Sequence, residues 1–436
     1  MAAARVAGRL AICLMMSLVC VATARAQEQP APESQTSEST EASPGIFDRL
    51  GITGSVRGGY WSSTRDLDAD DHLGAGMIWL KSTRALSQRV SFLAEGWGAL
   101  RGPAGDADAK GELREAFVDI RFGQLDVRAG RQIFAWGRAD GVNPTDNLTG
   151  EDLTLLAPDD DDRRLGSTAV RASYYLGDVS VSALWLPEFR GHRFPLPAPP
   201  PGMDFVREVR EWPGDQWAVR VEQTGGSVDW SASYFDGRDL LPDLGPGGPG
   251  EGLDVRLSHH RIRVAGADMA ANVGRFALRA EGAYVDTEDS TGDDPFTKNP
   301  YVFVVVGGDR TFREYINLNV QYLYRYVVDF QPLSEFGAAL PIAAQQAVLS
   351  SQARRVQHGM SFRVANKWLR ETLEAECAAA AFFGPRGLNI RPKITYAVND
   401  HWKMLLGAEV YRGESSSVFG LLRPNTAAYL EARWSF

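Results

Sequence analysis

Six histidines stand at His72, His192, His259, His260, His358 and His401, and none lies in a nucleophile or metal-binding signature. His259 and His260 are adjacent, and neighbours on a strand point to opposite faces, so they make a poor metal pair. Asp66, Asp68 and Asp70 have the spacing of a calcium loop, but its sixth and twelfth positions are Asp71 and Met77, where glycine and a carboxylate are needed. A hydrolytic site would require a Ser or Thr beside a His on one face, and no motif marks such a pair. The expectation is a protein without catalytic residues, metal or cofactor. Chemistry concentrates instead in charge. Gly130 to Arg164 (GRQIFAWGRADGVNPTDNLTGEDLTLLAPDDDDRR) gathers Arg138, Asp140, Asn143, Asp146, Asp152, Arg163 and Arg164 around four successive aspartates, Asp159 to Asp162. Such side chains on a loop that meets a passing solute act through their local field, as rings of charge do in pores. Asn143-Pro144-Thr145-Asp146 also reads as a turn or a helix cap, a positioning element.

A loop of this kind needs a frame, and the frame is periodic. In Tyr315 to Tyr326 the residues Ile316, Leu318, Val320, Tyr322, Tyr324 and Tyr326 alternate with Asn317, Asn319, Gln321, Leu323 and Arg325. Trp217, Val219 and Val221 alternate with Ala218, Arg220 and Glu222. Ile390, Pro392, Ile394 and Tyr396 alternate with Arg391, Lys393 and Thr395, and Pro392 predicts a bulge or weakened pairing there. Breaks between such runs alternate too. Short ones fall near residues 86–88, 122–124, 176–178, 224–226, 273–274, 311–313, 367–369 and 398–400. Long ones are expected at 62–73, 102–109, 137–166, 189–213, 237–255, 287–297, 329–353, 383–387 and 413–423. A soluble β-sandwich has no such asymmetry, whereas short turns on one side and long loops on the other are the layout of an outer-membrane barrel. The segments number about eighteen, within 16–18. The expected fold is all-β, a transmembrane antiparallel up-and-down β-barrel in the bacterial outer membrane. Hydrocarbon tolerates no open sheet edge, so the last strand must pair with the first. Tyr60, Trp61, Trp230, Tyr234, Tyr284 and Trp434 are expected in the interface girdles.

Composition agrees. The chain has 436 residues, of which 44% are hydrophobic and 23% charged, and it never strings together the eighteen or so apolar residues of a spanning helix. Arg5 and Arg9, the apolar run Leu10 to Val21, and Ala24-Arg25-Ala26 predict a signal peptide over 1–26. Residues 27–45, nearly devoid of apolar side chains, predict a flexible periplasmic leader, and 46–436 the barrel. Cleavage removes Arg5, Arg9 and Arg25 and no acid, taking the net charge from -9 to -12. That balance, without a basic stripe, excludes nucleic acid as a partner. Cys377 alone remains, so no disulfide framework holds the fold.

In the last strand Ala428, Leu430, Ala432, Trp434 and Phe436 share a face, and the ending at Phe436 resembles the insertion signal read by the barrel-assembly machinery of Gram-negative bacteria. Three stretches, LREAFVDI (Leu113 to Ile120), the WG…NPTD stretch from Trp136 to Asp146, and RPKITYAVNDHW (Arg391 to Trp402), resemble large Gram-negative porin-like barrels. Those include substrate-specific porins, the alginate-export type, and uncharacterised barrels bearing WG…NPTD. The resemblance implies passage or export through the outer membrane, embedded in lipid and lipopolysaccharide, and names no substrate. A third loop folded inward would narrow the lumen, so the expected constriction comprises Arg138, Asp140, Asn143, Asp146, Arg163 and Arg164, with Glu115, Asp119, Arg121, Arg391 and Lys393 on the wall. The polar faces carry Arg261, Arg263, Arg279 and Arg363 among their bases and Glu222, Glu281, Glu376 and Glu409 among their acids. Bases run slightly ahead, which predicts a preference for anions or acidic sugars. The alternative is the barrel of a polysaccharide or lipid export system, working with periplasmic and inner-membrane partners that dock on the leader.

Overall fold

A strand with one apolar and one polar face buries neither alone in a membrane, and closing the sheet settles both faces at once. The computed structural model describes residues 50–63, 72–102, 108–155, 157–194, 205–208, 215–247, 255–313, 315–336 and 341–436. The expected signal peptide (1–26) and leader (27–45), and Asp66, Asp68 and Asp70, lie outside the described residues. Eighteen strands form one sheet: Ile52–Ser63 (β1), His72–Ala85 (β2), Val90–Gly102 (β3), Asp108–Phe122 (β4), Leu125–Gln132 (β5), Ser167–Leu176 (β6), Val179–Leu186 (β7), Gln216–Gln223 (β8), Val228–Arg238 (β9), Arg261–Val273 (β10), Phe276–Thr287 (β11), Tyr301–Phe312 (β12), Ile316–Val327 (β13), Val356–Trp368 (β14), Leu373–Phe383 (β15), Arg386–Ala397 (β16), Trp402–Gly413 (β17) and Ala427–Ser435 (β18). Each pairs antiparallel with the next, and β1 meets β18 with Gly58 opposite Ala432, so the barrel is closed.

The short turns use glycine where the two-residue hairpin requires positive φ: Gly123, Gly177 and Gly274 sit at 65°, 64° and 62°. On the opposite rim the expected long loop at 383–387 is instead a two-residue connection, Gly384-Pro385, between Phe383 and Arg386. Gly-Pro marked a break and said nothing of its length. Pro392 does weaken its ladder. Pairing of β16 with β17 lapses between Ile390–Val410 and Lys393–Gly407 and resumes in the same register, without a bulge.

Tyr60, Trp230, Tyr284 and Trp434 are exposed on the outer face, as girdle residues are. Trp61 is a correction. It is buried at 5% exposure, sharing the inner face of β1 with Arg57, because parity along the strand decides the side. Arg261 and Arg263 are the converse correction: they flank the buried Ile262 and Val264, share the face of exposed Met269, and pair with Asp236 and Asp286. They stand at the loop-side end of β10, where outward charge meets headgroups rather than hydrocarbon.

The largest buried apolar cluster lies inside the barrel. Residues 133–166, the third long connection, send Phe134, Trp136 and Leu148 against Ala169, Leu184, Leu186, Ala218, Phe235, Ile262, Val264, Ala283 and Val285 on the inner wall of β6–β11. The loop therefore fills the lumen beside this part of the wall with side chains. Trp136→Ala should cost about 3–5 kcal/mol of local packing. The expected result is faster protease cleavage within 133–166 while heat-resistant migration of the barrel persists; unchanged cleavage would contradict the packing.

On the long-loop side several neighbouring loops are tied together. Residues 243–246, 255–258 and 205–208 form a small sheet, and the helix Pro341–Leu349 (α1) covers it, Gln346 accepting from the Leu244 N–H at 2.7 Å. Lys298 is buried between Asp239 (2.6 Å) and Asp243 (3.3 Å), while His260 bonds Asp243 at 2.8 Å. Burial disfavours the Lys298 ammonium, and the two aspartates outweigh it, raising its pKa.

Candidate functional site

The WG…NPTD stretch builds a hook. Gly137 adopts φ +96°, and a Cβ there would come within 2.4 Å of the Glu281 carboxylate, so only glycine fits. Glu281, 2% exposed on β11, accepts from the N–H groups of Arg138 (2.9 Å), Ala139 (3.1 Å) and Thr145 (2.8 Å) and from the Thr145 hydroxyl (2.8 Å). Asn143 donates to the Trp136 carbonyl at 3.1 Å, and Asp146 accepts from the Trp136 N–H and pairs with Arg164 at 2.9 Å. Asn143, Thr145 and Asp146 thus fix a loop that presents Arg138 and Asp140. Arg138 pairs with Glu222 and Asp268 at 2.7 Å each, and Asp140 exchanges backbone bonds with the Gln321 amide.

The far end of the loop crosses to the opposite wall. Asp162 pairs with Arg57 at 2.5 Å, Asp160 with Arg391 at 2.7 Å, and Arg163 with Glu409 at 2.7 Å. Asp159 reaches Lys393 at 3.2 Å and Arg433 at 3.1 Å. Burial opposes the charge of Asp159 and Asp160, yet these bases prevail and hold both carboxyls below the usual range. Asp146 and Glu151 go the other way, burial raising both.

Between loop and wall two spaces remain. A cavity of about 790 Å³ on the loop side is lined by the loop from Asp140 to Arg164 and by β13–β17. A second, about 670 Å³, lies toward the short turns, with Arg279, Asp309 and Asn317 on its wall. Asp140, Asn319 and Arg363 line both. Arg363 stands 3.7 Å from Asp140 and 2.6 Å from Glu376, so the two cavities meet at a charged ring.

Of the residues expected at a constriction, Arg138, Asp140, Asn143, Asp146, Arg163, Arg164, Arg391 and Lys393 line one or both cavities. Glu115, Asp119 and Arg121 line neither. Glu115 accepts from the Ile133 N–H at 3.1 Å, Asp119 is held by Arg128 at 2.7 Å, and Arg121 is exposed beside the turn at Gly123. Glu281, Asn319, Gln321, Arg363 and Glu376 were legible as members of the polar faces and not as a site.

His192 ties this loop to the next, its Nδ1 accepting from the Glu151 N–H at 2.9 Å. Burial depresses its pKa to about 4. A histidine kept neutral in the folded state stabilises it fully above pH 6.5; the contribution shrinks below that value and is lost as pH falls through about 4. Proteolysis within 133–166 should therefore accelerate from pH 6.5 to 4, and His192→Asn, which keeps an acceptor and removes the proton site, should flatten that rise. An equal rise in the variant would rule out His192 as the sensor.

Residues 94–326, just over half of the chain, match the family described as "Protein of unknown function (DUF1302)". The chain belongs to the DUF1302 family. Comparison with curated proteins finds no match. Among solved structures, this DUF1302 barrel is similar to OpdK of Pseudomonas aeruginosa, crystallised with vanillate (TM-score 0.54, 10% identity, covering 88% of this chain and 98% of that one). OccAB3 of Acinetobacter baumannii (TM-score 0.53, 10% identity, 88% and 98%) and OccK5 (OpdH) of P. aeruginosa (TM-score 0.51, 10% identity, 88% and 97%) are also similar. The likeness is one of fold. This DUF1302 protein has the fold of those outer-membrane proteins, a closed eighteen-stranded antiparallel β-barrel.

Proposed function

We propose that the protein is a narrow channel passing small polar solutes between its third loop and the β13–β16 wall, with neutral and cationic solutes preferred over anions. The observation carrying this reading is the meeting of the two cavities at Asp140, Asn319 and Arg363. A fastened loop with space on both sides of a charged ring is what a selective passage needs, since selectivity arises where lining charge is closest to the solute.

The basic surplus expected along the wall is offset within the passage by the loop's own carboxylates. Eight carboxylates and five basic side chains line the loop-side cavity. Each of the five lies within 4.0 Å of a lining carboxylate, as in Arg163–Glu409, Arg164–Asp146, Arg363–Glu376, Arg391–Asp160 and Lys393–Asp159. Passage, with no chemical step, is the role proposed.

Refolded protein in a planar bilayer under a salt gradient tests this. Steady openings whose reversal potential lies on the cation side are expected; insertion without conduction, or anion selectivity, would refute it.

A further inference from the structure

A third space sits beside the loop-side cavity and differs in character. About 180 Å³ is enclosed by Trp61, Tyr411, Tyr429 and Phe194 together with Phe419 and Leu422 of the last long loop. The inward Trp61 ring lies over Gly59, where a Cβ would come within 2.3 Å of the indole. Tyr411 donates to Glu409 at 3.0 Å, so its hydroxyl is used and its ring faces the space. Glu409, Arg391 and Asn389 belong to this chamber and to the polar cavity alike, so the one opens into the other.

An aromatic chamber is a poor resting place for an ion or a sugar-sized polar solute on its own, because apolar linings dewet. It fits a solute with an apolar body. A cavity of about 150 Å³ holds a benzene ring, and this one is slightly larger. The charge at its inner edge selects the head. Arg391 is held by Asp160 and Arg163 by Glu409, so an incoming anion would have to displace a carboxylate from each. Arg163 and Arg391 both line the chamber and are already held by Glu409 and Asp160, whereas the Glu409 carboxylate, paired with Arg163 and Tyr411, keeps acceptor lone pairs for one more donor beside the Asn389 amide, which suits an uncharged or cationic head.

Resting on the proposed passage and naming its substrate class, we infer that the chamber formed by Trp61, Phe194, Tyr411, Phe419, Leu422 and Tyr429 is a binding site for small amphiphiles carrying one ring or a short aliphatic chain and a neutral or cationic head. Three probes share a ring and differ in the head: 2-phenylethylamine, benzyl alcohol and benzoate. Each is titrated calorimetrically into the full chain in lipid nanodiscs, with protein-free nanodiscs as the blank. The amine and the alcohol should bind, and benzoate should bind at least about tenfold more weakly, the ratio for one unfavourable charge contact near a protein surface. Phe419→Ala should weaken the amine by about tenfold. Trp61→Phe, which keeps a ring, provides a second variant that should retain binding if the alanine variant fails to fold. Benzoate binding tightest would overturn the head assignment, and absence of ring-probe binding, or a Phe419→Ala variant with undiminished affinity, would overturn the site. Binding needs no conduction, so a barrel that binds the amine without conducting would sink the channel reading and leave the chamber standing.

Discussion

Glu281→Ala should raise single-channel conductance several-fold and make it noisy. One carboxylate on β11 accepts four hydrogen bonds from the hook that carries Arg138 and Asp140. Its removal strands three backbone N–H groups and a hydroxyl in a nearly closed space, at about 1–3 kcal/mol for each donor left dry. The loop has a cheaper course, which is to leave the wall and hydrate. The strand pairs flanking the position, Gly282 with Val304 and Ala283 with Phe303, do not involve the side chain, so the barrel stays closed. Freed at this end, the loop no longer divides the lumen at Asp140. Glu281→Gln, which keeps one acceptor oxygen and turns a donor toward the N–H groups, should fall between the two. Wild-type conductance in the alanine variant would mean that the hook does not govern the passage.

The second large effect is on charge selectivity. Arg363 faces Asp140 and Glu376 at the ring shared by the two cavities. Arg363→Ala leaves both carboxylates without that base and should move the reversal potential further to the cation side. Asp140→Asn should move it the other way. One unit charge at about 4 Å in water is worth about 1 kcal/mol, roughly a fivefold change in the local concentration of each ion, upward for one sign and downward for the other. Because the ring is lined by protein rather than bulk water, the shift should exceed what the same substitution produces at Arg121, which is exposed near a turn. Equal shifts at Arg363 and Arg121, or none at Arg363, would remove the ring from the selectivity path. High salt should shrink the Arg363 effect, as screening requires.

The strands were legible because alternation is local. Most residues of β13 declare their side by type, the inward Leu323 and Val327 excepted, and turn glycines such as Gly123 mark where the chain reverses. Charge along Gly130 to Arg164 likewise singled out the loop that enters the lumen. What stayed hidden depends on partners distant in sequence. The inner wall of β6–β11 is apolar at Leu184, Leu186, Phe235, Val264 and Val285, since the loop rather than water covers it, and a rule that sends polar residues inward has no signal for that. Glu281 and Arg363 were two charges among many on polar faces; their weight comes from the hook and from Asp140, which lie more than a hundred positions away. Arg261 and Arg263 misled for a related reason: a strand that outruns the hydrocarbon carries charge on its outer face too.

On the loop side the lumen is asymmetric, packed along β6–β11 and open along β13–β16. Ala283 and Ala380 are inward-facing alanines on the two sides, the first 4% exposed within the packed cluster and the second lining the loop-side cavity. With Cys377 replaced by serine, each is changed in turn to cysteine, and a positively charged methanethiosulfonate is added while current is recorded. The prediction is a stepwise fall in current for Ala380→Cys and none for Ala283→Cys. A fall at Ala283→Cys, or an unchanged current at Ala380→Cys, would contradict the account.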